Sequence, residues 1–106
     1  EVNRVSGSFE IPTLISMYDI EDIQKYDGII ALGCIIRGET KHFDFISSSI
    51  IDGIMSLSMN KKVPIGNGIL TCENMDQVKA RYEKKPIEAI DAVISVLINL
   101  PAYKNV

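Results

Sequence analysis

The sequence predicts an α/β fold in which an open parallel sheet carries helices on both faces. Residues 28–36 (GIIALGCII) and 63–71 (VPIGNGILT) are short apolar runs with almost no polar alternation, as expected of parallel strands covered on both sides. Elsewhere the apolar residues recur three or four apart, which is the helical period. Strands separated by helices of this length imply right-handed βαβ crossovers.

In chain order, residues 2–6 suggest a third strand, and Pro12 opens a helix after the GSFE turn. Beyond the strand at 28–36, Phe43, Ile46, Ile50, Ile54 and Leu57 step along one helical face, which Ile51 and Met55 widen, so this helix is expected to be deeply buried. Asn74 is placed to cap a short helix after the second strand. Pro86, with Glu88 in the first turn, introduces the last helix, whose apolar side is expected to be Ile87, Ile90, Ile94, Leu97 and Ile98. Two or three strands make a thin sheet, so a further strand is expected ahead of Glu1 or from elsewhere. The 106 residues are read as one domain, 1–106, apparently lacking its N-terminal strand.

A domain this small buries only about 60–65% of its unfolded surface. Its hydrophobic share is 46% against 24% charged, an apolar excess that points to interfaces and hence to oligomerisation. The net charge of −3 is spread without a basic block, which argues against a nucleic-acid partner. No run nears the roughly 20 apolar residues of a membrane span, and residues 1–9 do not read as a signal peptide. Cys34 and Cys72 stand outside any CxxC pair and are expected to be reduced core thiols, which favours the cytoplasm.

Ligands of open parallel sheets bind beyond the carboxyl ends of the strands. Residues 7–10, 37–42 and 70–74 fall there. In the second turn Gly38 permits close backbone approach, Thr40 is a candidate N-cap, and the free N–H groups of the new helix form an anion site. A phosphate would fit, although an ordinary capped helix start has the same spacing. His42 is the sole histidine, and an imidazole in the first turn can accept and return protons, or simply pack. No second His or Cys cluster lies within metal-ligand spacing. Glu10, beside the aromatic wall of Phe9, could accept hydrogen bonds from a hydroxylated ligand or serve as a first-turn acid. Arg81, Lys84 and Lys85 form a small basic cluster that could equally be a solvated face. The motifs GxxxxGK[ST], GxGxxG and GxSxG are absent, which leaves nucleotide hydrolysis, dinucleotide binding and serine hydrolysis without support.

Taken together, GSFEIP at 7–12, KYDGIIALGCIIRGETKHFDF at 25–45, VPIGNGILTCEN at 63–74, and Arg81 with Lys85 ahead of IEAIDA resemble the 6,7-dimethyl-8-ribityllumazine synthase family (riboflavin synthase beta subunit). The resemblance covers nearly the whole chain. It implies a three-layer flavodoxin-like fold with a four-stranded open parallel sheet. It also implies a transferase that needs no cofactor and condenses 5-amino-6-(D-ribitylamino)uracil with 3,4-dihydroxy-2-butanone 4-phosphate in the penultimate step of riboflavin biosynthesis.

By the same resemblance Ser8, Phe9 and Glu10 would hold the ribityl chain and ring of the pyrimidine, and Cys34, Ile35 and Ile36 would line its pocket with Asn67 on the far side. Glu39, Thr40, Arg81 and Lys85 would bind the phosphate, and His42 would transfer protons. The implied partner is a second copy of the chain: a pentamer, or an assembly of pentamers, with sites between adjacent subunits and the Asn67 and Arg81 side coming from the neighbour. Riboflavin synthase is a further implied partner.

Three departures accompany the resemblance. The family's first strand, which bears an aromatic ring, is not among these residues and is expected to have been omitted ahead of Glu1; Asn67 stands where many members have Phe; and the interval from Arg81 to Pro86 is shorter than the family's Gly-rich and Lys-rich loop. Two other readings fit the residues: a non-catalytic flavin-binding or shell-forming protein of the same fold, and a generic flavodoxin-like regulatory domain, whose acidic cluster or flavin-phosphate loop this sequence lacks.

Overall fold

The computed structural model describes residues 1–38 and 41–102. A 3-10 turn, Ser8–Glu10, leads into α1 (Ile11–Met17) and α2 (Ile20–Ile23). Strand β1 (Ile29–Ile36), α3 (His42–Lys61) and β2 (Ile65–Cys72) follow, and then α4 (Met75–Arg81) and α5 (Lys84–Leu97). The strands pair in parallel from Ile29 opposite Ile65 to Ile36 opposite Cys72. The architecture is an open parallel sheet, here of two strands, flanked by helices.

Alternation along the strands divides the packing between two faces. Ala31 and Ile69 meet Ile50 and Ile54 of α3 in one buried cluster, with Ile11, Ile35, Ile46 and Ile65 around it. Ile15, Ile23 and Val63 form a second, joined by Tyr18, Ile29 and Leu57. On the other face α5 lies directly on β2. A Cβ at Gly66 would collide with the Ala89 carbonyl, and one at Gly28 would collide with Val93. The absent side chains let helix and strand backbones approach closely.

This close docking corrects the expected face of α5. Ile87, Ile90, Ile94 and Ile98 are 59%, 45%, 48% and 60% exposed and Leu97 is half-buried, whereas the small Ala89 and Val93 are buried. Glycines leave room for small residues alone, so the isoleucine stripe faces away from the sheet. The helix also begins at Lys84, which puts Pro86 within the first turn, where a missing N–H costs nothing, and Glu88 beyond it.

In α3 the buried residues are Ser47, Ile50 and Ile54, while Phe45, Ile51 and Met55 are exposed, so the helix is covered along a narrower stripe than expected. Residues 2–6 are not a strand. An extended segment is stabilised by its ladder, and among the described residues β1 pairs with β2 alone. Side chains anchor the segment instead, with the Tyr26 O–H donating to Glu1 at 2.6 Å and Ser6 Oγ donating to Glu10 at 2.7 Å.

The expected cap of α4 is present: Asn74 Oδ1 accepts from the Gln77 N–H at 3.0 Å. Replacing Asn74 with Ala is expected to lower stability by about 1 kcal/mol, read from the urea midpoint at unchanged m-value. None of the described helices is long and apolar enough to cross a membrane.

Candidate active site

The carboxyl ends of β1 and β2 lie side by side, and the ladder continues one residue further, with the Arg37 N–H donating to the Cys72 carbonyl at 2.8 Å. The turn Ser8–Glu10 is drawn against β1 at Gly33, where a Cβ would strike Ser8 Oγ and come within 3.5 Å of Ile11. Ser8, Phe9 and Glu10 are therefore brought beside the strand that carries Cys34, Ile35 and Ile36. Phe9 is exposed, and Ser8 and Glu10 are half-buried.

Ile35 turns toward the α3 cluster, whereas Cys34 and Ile36, on the alternate positions, are exposed. The expectation of two core thiols thus holds for Cys72, which is fully buried, and fails for Cys34. The reason is that α5 covers β2 and leaves this part of β1 open. The apolar surroundings of Cys34 still raise its thiol above the ordinary value, with Cys72 acting in the same direction, so it is the protonated and less nucleophilic form that is favoured.

His42 is the first residue of α3 and is exposed. The position ahead of the helix is Lys41, which makes no side-chain cap. Glu39 and Thr40, including the expected cap at Thr40, lie outside the described residues.

Arg81 and Lys85 lie together at the end of β2. With Thr71, Lys84 and Glu88 they line a cavity of about 380 Å³ between α4, α5 and the end of β2. Three cations stand there against one carboxylate, a balance that would favour an anion, and an Arg fork suits phosphate. Asn67 is apart from both groups. It lines an apolar groove of about 510 Å³ between α3 and α5, and its Oδ1 accepts from the Ile69 N–H at 3.0 Å. Five residues of strand, about 16 Å, separate it from the end of β2. The candidate residues of one chain thus fall into three groups among the described residues.

Sequence reasoning missed Arg37 as a site residue. Its guanidinium donates from Nη2 and Nη1 to the Asp44 carboxylate at 2.9 and 3.3 Å and from Nε to Glu73 at 2.5 Å, and it lies 4.6 Å from the centre of the Phe43 ring. The two carboxylates push its pKa above the ordinary guanidinium value, Asp44 first. A cation directly after a strand, with an acid in the first turn of the next helix, was the signal available. Among the described residues, no three His, Cys, Asp or Glu side chains stand together as a metal site would require.

Comparison with known proteins identifies the family. A sequence profile described as 6,7-dimethyl-8-ribityllumazine synthase matches residues 1–100. The protein of that name from Methylobacillus flagellatus is 42% identical over 96 residues, covering 91% of this chain and 62% of the relative. That from Agrobacterium fabrum is 45% identical over 87 residues, covering 79% and 59%, and that from Bartonella tribocorum is 46% identical over 80 residues, covering 76% and 52%. The chain spans about 60% of the length of the first two relatives. By the profile match over residues 1–100, the chain belongs to the 6,7-dimethyl-8-ribityllumazine synthase family.

Proposed function

We propose that the protein catalyses the condensation of 5-amino-6-(D-ribitylamino)uracil with 3,4-dihydroxy-2-butanone 4-phosphate to 6,7-dimethyl-8-ribityllumazine, in the cytoplasm and without a cofactor. The observation that carries this reading is the family match over residues 1–100. The cationic cavity of Arg81 and Lys85 supports it, because one substrate bears a phosphate.

The chemistry runs in three stages. The 5-amino group adds to the ketone and loses water to form an imine. A proton is then removed from the carbon next to the imine, and inorganic phosphate departs. The enol left by loss of phosphate tautomerises to a ketone, on which the ribitylamino nitrogen closes the ring, and a second water is lost. In this reading His42 takes and returns the protons. Ser8, Phe9 and Glu10 hold the ribityl chain and ring, and Cys34, Ile35, Ile36 and Asn67 line the pyrimidine pocket. Glu39, Thr40, Arg81 and Lys85 receive the phosphate.

The working form is a homo-oligomer of pentameric rings in which a neighbour supplies Arg81 and Asn67. Two features support this: the isoleucine stripe of α5 is exposed, and Asn67 lines a groove between α3 and α5 that holds none of the other candidate site residues.

The test is to mix the full-length protein with both substrates and follow lumazine absorbance. Acceleration over the spontaneous reaction is expected, and none would remove the enzyme reading, leaving a binding protein. Imine formation between an aromatic diamine and a ketone is facile, so holding the reactants together supplies much of the rate. His42→Ala is therefore expected to slow kcat only about tenfold, below the usual range for losing a general acid or base. A loss above a thousandfold would contradict this division of labour.

A further inference from the structure

We propose that Arg37 is the positioning residue for His42, holding the first turn of α3 in register with the ends of both strands. This inference rests on the synthase reading above. The two residues that follow His42 are both engaged by the guanidinium, the Phe43 ring at 4.6 Å from its carbon and the Asp44 carboxylate at 2.9 and 3.3 Å. The same group reaches Glu73, the first residue after β2. Glu73 is itself fixed, its N–H donating to Gln77 Oε1 at 2.7 Å, while Gln77 N–H donates to Asn74.

The Arg37 backbone is pinned by its hydrogen bond to the Cys72 carbonyl. A side chain anchored at the root on the ladder, with its head on two carboxylates and a ring, has little freedom left. Each of these pairs is exposed and weak alone. Together they share one already ordered guanidinium, and they converge on the turn that carries His42. Lys41 supplies no side-chain cap to that turn, and His42 is exposed. The planar fork is needed, because a lysine ammonium cannot serve Asp44 and Glu73 while stacking on Phe43.

His42 is the sole histidine in this sequence, and its ring C–H NMR signals can be assigned in the full-length protein as those that disappear in His42→Ala. Arg37→Met, and Arg37→Lys as a variant that keeps the charge, should both fold with unchanged far-UV circular dichroism, yet shift and broaden the His42 ring signals. In kinetics each should lower kcat about tenfold with KM for either substrate changed less than threefold. In the His42→Ala background the same changes should cost less than a further twofold, since a turn without its imidazole has nothing left to position. Losses that multiply, or unaltered ring signals in a folded Arg37→Lys protein, would overturn the proposal. Absence of lumazine formation by the unsubstituted protein would instead overturn the synthase reading, and the ring signals would still decide the role of Arg37.

Discussion

Gly66→Ala is expected to destabilise the protein by about 2 kcal/mol, a large loss for one methyl group. The glycine does not owe its place to backbone conformation, since none of the described glycines has a positive φ. It is there for space. An added Cβ would run into the Ala89 carbonyl oxygen and carbon, which are backbone atoms that cannot swing aside as a side-chain end can. Relief requires α5 to lift from β2, which opens a gap along the contact that also buries Val93.

Overpacking of this kind costs about 1–3 kcal/mol, and the restriction of the unfolded chain by alanine returns about 0.4–1 kcal/mol, so the clash wins. Gly66→Val, with two further carbons, should leave little folded protein. Gly38→Ala is the control: its Cβ meets nothing within 4 Å, and its stability should match the parent within about 0.5 kcal/mol. Urea midpoints decide, and equal midpoints for Gly66→Ala and Gly38→Ala would refute the close docking of α5.

Arg81→Ala is expected to raise KM for the phosphate-bearing substrate about thirtyfold, with kcat changed severalfold at most. Hydrogen bonds to a charged group contribute about 1.5–3 kcal/mol, which spans roughly ten- to a hundredfold in affinity. Lys84 and Lys85 remain in the cavity after the substitution and keep some attraction, so the loss falls short of the top of that range. KM for the pyrimidine should hardly move, because that substrate carries no phosphate. Steady-state kinetics with each substrate varied in turn make the distinction, and an unchanged KM for the phosphate substrate would dissociate Arg81 from phosphate binding.

The two strands were legible as unbroken apolar runs, although one face of β1 carries the exposed Leu32, Cys34 and Ile36. The cap at Asn74 was legible because its partner is three residues away. What could not be read is non-local. Arg37 takes its meaning from Glu73, 36 positions later, and a charge in a turn gives no sign of so distant a partner. The α5 stripe misled because helical periodicity reports an apolar face without saying what covers it. The glycines of β2 decide that matter, and they select Ala89 over the bulkier Ile90. Residues 2–6 misled in the opposite sense, since β-propensity expresses itself only beside a partner strand. Among the candidate site residues, the family pattern assigned to one site residues from four separate segments, a grouping that no local spacing signals.

The docking of α5 on β2 has a bearing on the cavity beside it. One wall, formed by α5 with Lys84, Lys85 and Glu88, is keyed to the strand by interlocked backbones. The opposite wall is α4, a seven-residue helix with no buried residue, which carries Arg81. Elements with few buried contacts open at the lowest free energy. The cleft is thus a vice with one fixed jaw and one loose jaw, and any widening of it would draw on the jaw that holds the arginine.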